Sequence, residues 1–81
     1  MTITVCFYSY VQDLVGRSRM TETLPEGATL EDLFNSLSGQ FPELGALKKS
    51  LLLAVGVEYQ PRSYILKDGD EVSLFPPVQG G

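Results

Sequence analysis

Asp68-Gly-Asp-Glu-Val-Ser-Leu-Phe-Pro-Pro-Val-Gln-Gly-Gly81 decides how this chain is read. Asp68-Gly69 is a turn dipeptide, because glycine enters positive φ without steric cost. Val72 and Leu74 then alternate with Ser73 and Phe75, the period-2 pattern of a strand. Pro76-Pro77 stops that strand, since neither residue donates to a sheet ladder and both fix φ near the polyproline value. Val78-Gln79-Gly80-Gly81 offers little that a core could hold. The expectation is a folded domain over residues 1–75 and a projecting tail over residues 76–81.

A tail ending in Gly80 and Gly81 can enter a channel too narrow for any side chain. Extended from Pro76 at about 3.3–3.6 Å per residue, it reaches about 20 Å, enough to enter a site buried in another protein. Ordering it costs about 1–2 kcal/mol per residue, less where proline has already fixed the backbone. A frayed end is the plainer reading. However, with glycine at ~7% of residues, two terminal glycines arise by chance in only about 0.5% of chains. Phe75 falls on the strand face opposite Val72 and Leu74. It therefore reads as an exposed aromatic beside the tail and a partner contact, with Tyr59 as its neighbour.

Upstream, Ile3, Val5 and Phe7 alternate with Thr2, Thr4, Cys6 and Tyr8, which predicts a first strand over residues 2–8. Val11 to Val15 fits one helical turn closed by Gly16. Residues 17–24 read as a second strand, polar on both faces and so an edge. Thr29 is a good helix N-cap, and Asp32 completes a capping-box pattern. Leu30, Leu33, Phe34, Leu37 and Phe41 then form one apolar stripe, which Pro42 ends. Glu43 to Lys49 adds a short turn. Residues 51–57 are nearly all apolar, which predicts a single strand covered on both faces, with Gly56 as a bulge or turn. One greasy helix stripe requires one sheet face to cover it. The fold class expected is α+β: a β-grasp, ubiquitin-like mixed sheet over one main helix, with the first and last strands central and parallel.

Eighty-one residues support one domain. No leader peptide is expected, because Met1 runs straight into an alternating strand pattern. No apolar run spans a bilayer, so no membrane partner is expected. The single cysteine, Cys6, cannot form an internal disulfide, which fits a cytoplasmic setting. A net charge of −4 argues against nucleic acid as a partner, since phosphate binding needs a basic face.

The chain has no histidine, which removes the commonest general base and metal ligand. One cysteine cannot build a zinc site, and no metal is expected. Asp68, Asp70 and Glu71 cluster around Gly69 and read as turn chemistry. Ser9 and Ser73 have no base to activate them. Cys6 reads as a small buried hydrophobe rather than a persulfide carrier. Nothing in the chain catalyses alone. The reactive group left is the carboxylate of Gly81, which becomes electrophilic only once an oxygen has been made into a leaving group.

Asp68-Gly-Asp-Glu-Val72, Phe75-Pro-Pro-Val78 and Gly80-Gly81 together resemble the C-terminus of molybdopterin synthase small subunits, the MoaD-type sulfur carriers of the ThiS/MoaD ubiquitin-like family. Phe7-Tyr-Ser-Tyr-Val-Gln-Asp-Leu-Val-Gly16, Thr29-Leu-Glu-Asp-Leu33 and Leu52-Leu-Ala-Val55 extend the likeness over the whole chain. Gln12-Asp13 stands where the family usually has Arg-Glu, and Gly56 where it usually has Asn. The resemblance implies a sulfur carrier activated on Gly81 by a ubiquitin-activating-type adenylating enzyme, which itself uses ATP and magnesium; this chain binds no cofactor. A sulfur donor then converts the adenylate to a thiocarboxylate. The tail, Pro76, Pro77, Val78, Gln79, Gly80 and Gly81, enters the large catalytic subunit of a heterotetrameric synthase. There the sulfur passes to cyclic pyranopterin monophosphate. Two other readings fit the same fold and diglycine: a carrier for thiamine synthesis or tRNA thiolation, and a ubiquitin-like protein modifier.

Overall fold

The computed structural model describes residues 1–76. Five strands form one sheet: β1 (Thr2–Phe7), β2 (Arg19–Thr23), β3 (Leu52–Val55), β4 (Glu58–Tyr59) and β5 (Glu71–Phe75). Their order is β2-β1-β5-β3-β4. Three helices, α1 (Tyr10–Val15), α2 (Leu30–Gln40) and α3 (Pro42–Gly45), complete the fold. β1 and β5 are central and parallel, and the other pairings are antiparallel. This is the expected β-grasp arrangement.

The core lies between the sheet and α2. Ile3, Val5 and Phe7 of β1 and Val72 and Leu74 of β5 are completely or almost completely buried. Leu30, Leu33, Phe34 and Leu37 of α2 meet them from the other side. Both capping-box bonds form at the start of α2. Thr29 N–H donates to Asp32 Oδ2 at 2.9 Å, and Asp32 N–H donates to Thr29 Oγ1 at 3.2 Å. At the other end Pro42 opens α3, and Phe41 turns its ring edge-on to Phe7, 6.3 Å between centroids.

β2 is an edge strand, as its composition requires. Its Glu22, on the half-buried side, is not left unpaired. The Glu22 carboxylate accepts from Ser36 and Gln40 of α2, which ties the edge to the helix.

Residues 51–57 depart from the expected single covered strand. β3 stops at Val55, and Gly56, at φ 63°, reverses the chain into β4. Gly56-Val57 is a two-residue hairpin loop with glycine at its first central position, where positive φ is required. Val57 is therefore 99% exposed rather than covered. Val55 and Ala54 pair with Glu58 and Tyr59.

The turn before β5 is built by its acidic residues. Asp68 Oδ1 accepts from Thr2 N–H at 2.7 Å, and Asp70 Oδ2 from Lys67 N–H at 2.8 Å. Gly69, at φ 88°, closes the bend and donates to the Thr2 carbonyl at 2.9 Å. These bonds fix β5 against the start of β1, and so fix the register in which its C-terminal end leaves the sheet.

Candidate functional site

The sheet face away from α2 carries the candidate site. Alternation along β5 sends Val72 and Leu74 into the core and Ser73 and Phe75 to this outer face. The register aligns Cys6, Ser73, Ala54 and Tyr59 across β1, β5, β3 and β4. The first three are small and buried, forming a trough floor under larger neighbours.

Because β1 and β5 are parallel, their C-terminal ends emerge side by side. Tyr8 N–H donates to the Leu74 carbonyl at 3.2 Å, which carries the pairing one residue past β1. The Tyr8 ring then stacks on Phe75, with centroids 4.7 Å apart and planes 12° from parallel. Tyr59 meets Phe75 edge-on, 6.3 Å between centroids. Offset and edge-on aromatic contacts of this kind stabilise beyond their buried area, by about 0.5–1.5 kcal/mol each. Leu52 faces Phe75 across β3. An open cleft lined by Leu51, Leu52, Tyr59, Pro61 and Arg62 continues the apolar surface past the sheet edge.

Phe75 was expected to be an exposed aromatic, but it is half-buried, because Tyr8 and Tyr59 cover it from two sides. The exposed members of the cluster are the tyrosines, Tyr8 at 42% and Tyr59 at 67%. Tyr59 is placed against Phe75. Tyr8 joins this cluster as well, at the outer-face parity it shares with Cys6 in the β1 pattern. Its meeting with Phe75 also needs the parallel register, which no local pattern reveals. Arg19 and Glu71 form an ion pair at 3.3 Å on the same face, exposed enough to contribute little.

Pro76 is half-buried at the root of the tail. Pro77, Val78, Gln79, Gly80 and Gly81 lie outside the described residues. Cys6 is a free, buried thiol in the trough floor. Among the described residues, no group of histidine, cysteine or carboxylate side chains could hold a metal ion. No helix there is long and apolar enough to cross a membrane. This surface lies where β5 ends, at Phe75 and Pro76.

Known proteins share this organisation. The ThiS family profile matches residues 5–81. The molybdopterin synthase sulfur carrier subunit of Chlamydomonas reinhardtii is 35% identical over the full length of both chains. That of Escherichia coli is 37% identical over 98% of this chain and 99% of its own. A Pyrococcus furiosus protein assigned as molybdopterin converting factor subunit 1 superposes with a TM-score of 0.85 at 27% identity, covering 96% of this chain and 99% of that one. With a family match over nearly its whole length, the chain belongs to the ThiS family.

Proposed function

We propose that this chain is the sulfur carrier subunit of a molybdopterin synthase, acting in the cytoplasm in molybdenum cofactor biosynthesis. The observation that carries the reading is end-to-end relatedness, at 35% and 37% identity, to two proteins named for that role. The aromatic surface at the tail root supports it, because a carrier must dock while its tail reaches elsewhere.

The chemistry starts at the Gly81 carboxylate. An adenylating enzyme joins it to the α-phosphate of ATP, and pyrophosphate leaves. A sulfur nucleophile attacks the acyl carbon and expels AMP, leaving a thiocarboxylate. Inside the large subunit that sulfur attacks the pterin precursor, cyclic pyranopterin monophosphate, and hydrolysis returns the carboxylate on Gly81. This chain supplies reach, a side-chain-free end and a docking face. Phe75 and Tyr59, joined by Tyr8, form that face, while Pro76 and Pro77 stiffen the exit and Val78, Gln79 and Gly80 thread the channel. The adenylating and transferring residues belong to the partners.

Intact mass of the carrier purified from its own cells tests this reading. A fraction heavier by the exchange of one oxygen for one sulfur, located on Gly81, is expected. A carrier found only unmodified or linked to lysines of other proteins contradicts it and favours a protein modifier.

A further inference from the structure

The cleft beside Tyr59 differs in character from the aromatic platform it adjoins. Leu51 and Leu53, both buried, and the half-buried Leu52 give it an aliphatic lining, which Tyr59, Gln60 and Arg62 bound with polar groups. Its volume is about 250 Å³, below the ~300–1,000 Å³ of small-molecule sites. A cleft of that size takes one or two side chains of a protein partner. Two residues belong to cleft and platform alike. Tyr59 meets Phe75 edge-on, and Leu52 pairs with Phe75 across β3.

Charge marks the cleft as well. The chain carries a net charge of −4, yet three of its six basic residues, Lys48, Lys49 and Arg62, fall on the segments that form or lead into the cleft. Their charge is only partly answered within the chain. Glu31 serves both Lys48 and Arg62, and Arg62 Nη1 has no hydrogen-bond acceptor among the described residues. Lys49, exposed and two residues before Leu51, makes no ion pair among the described residues. Glu58 adjoins Tyr59 in β4, but alternation sends it to the other face of the strand.

We propose that this cleft is the second part of the docking face and takes an apolar side chain flanked by a carboxylate on the large synthase subunit. The leucines cover the apolar group, and Arg62 with Lys49 faces the carboxylate. This rests on the carrier reading above. Charge placed this way contributes orientation and association rate more than raw affinity. On an otherwise acidic chain it turns the root of the tail toward an acidic rim.

The test changes charge at Gln60, which lines the cleft and whose side chain makes no hydrogen bond among the described residues. Gln60→Glu, Gln60→Lys and Phe75→Ala carriers are titrated with the large subunit at low and high salt, and their thermal midpoints are measured. Affinity is expected to rank Gln60→Lys above wild type above Gln60→Glu, with steps of about two- to fivefold. The spread should collapse in 1 M salt, where the screening length falls to about 3 Å. The three midpoints at position 60 should agree, because a packing role would lower both variants together. Any other order of affinities, or a spread that survives 1 M salt, overturns the proposal. So does a charge effect confined to the adenylating enzyme, or seen as self-association of the carrier in sedimentation, since the cleft then serves that occupant. Phe75→Ala separates the two levels. If it weakens binding while the charge order fails, only the cleft's role is lost. If it too binds normally, the docking face itself is wrong.

Discussion

The Tyr8 and Phe75 rings lie 4.7 Å apart and within 12° of parallel, although they come from opposite ends of the chain. Only the parallel pairing of β1 with β5 brings them together. The contact does two things. It covers one side of the Phe75 ring on the outer face of the sheet, and it sets an aromatic platform where β5 ends.

If that platform is the docking face, Phe75→Ala separates binding from folding. Losing a half-buried ring with two aromatic neighbours costs about 1–2 kcal/mol of stability. As an interface anchor the same ring is worth about 2 kcal/mol or more of affinity for the large subunit, about 30-fold. Titration calorimetry and thermal melts on one preparation check both. A large stability loss with intact binding would make Phe75 purely structural.

The stack is also measurable on its own. A double-mutant cycle between Tyr8→Ala and Phe75→Ala in the free carrier is expected to give a coupling of about 0.5–1.5 kcal/mol. Additive single-mutant effects would mean that the rings touch without stabilising one another.

The strands and the main helix were legible in the sequence where one face is buried. Ile3, Val5 and Phe7 set the phase of β1, and Thr29 with Asp32 marked the start of α2 within a residue. The β3–β4 hairpin was not legible. The apolar run through Val57 masks the reversal at Gly56, and Glu58–Tyr59 is too short to show a period. Of the aromatic cluster, Phe75 and Tyr59 could be placed by alternation and position. Tyr8 could not, because its partner is set by a register fixed elsewhere, at the Asp68–Asp70 turn. The tail over residues 76–81 is an expectation from its prolines and glycines, and beyond Pro76 it lies outside the described residues.

Arg62 fastens a part of the fold that the sequence presented only as a loop. Its guanidinium lies 4.9 Å from the centroid of the Phe34 ring, donates to the Lys48 carbonyl, and stands 3.9 Å from a Glu31 oxygen. Lys48 pairs with Glu31 in turn. Arg62→Ala is expected to cost about 1–3 kcal/mol through the lost cation–π contact and hydrogen bond. Urea unfolding measures this, and an unchanged midpoint would show the clasp to be idle. Arg62→Lys recovers little, because an ammonium cannot lie flat on the ring while bridging two acceptors.

The helix cap gives an independent check on the fold alone. Thr29→Ala removes one acceptor of the capping box and is expected to cost about 1 kcal/mol. Sulfur delivery at saturating carrier should be unaffected, since Thr29 touches neither the aromatic face nor the tail root. A carrier lacking this cap but failing in delivery would tie α2 to docking in a way the geometry does not provide for.

Molybdopterin formation, reconstituted from carrier, adenylating enzyme, sulfur source and large subunit, tests the central claim most directly when the carrier lacks Gly81. The deletion moves the carboxylate back by one residue, about 3.3–3.6 Å. An offset of that size defeats an attack that needs atoms within about 3–3.5 Å. The deleted carrier, like one with Gly80→Val or with residues added after Gly81, is expected to melt as wild type does and to yield essentially no product. Near-normal product from the Gly81 deletion would contradict the sulfur-carrier account.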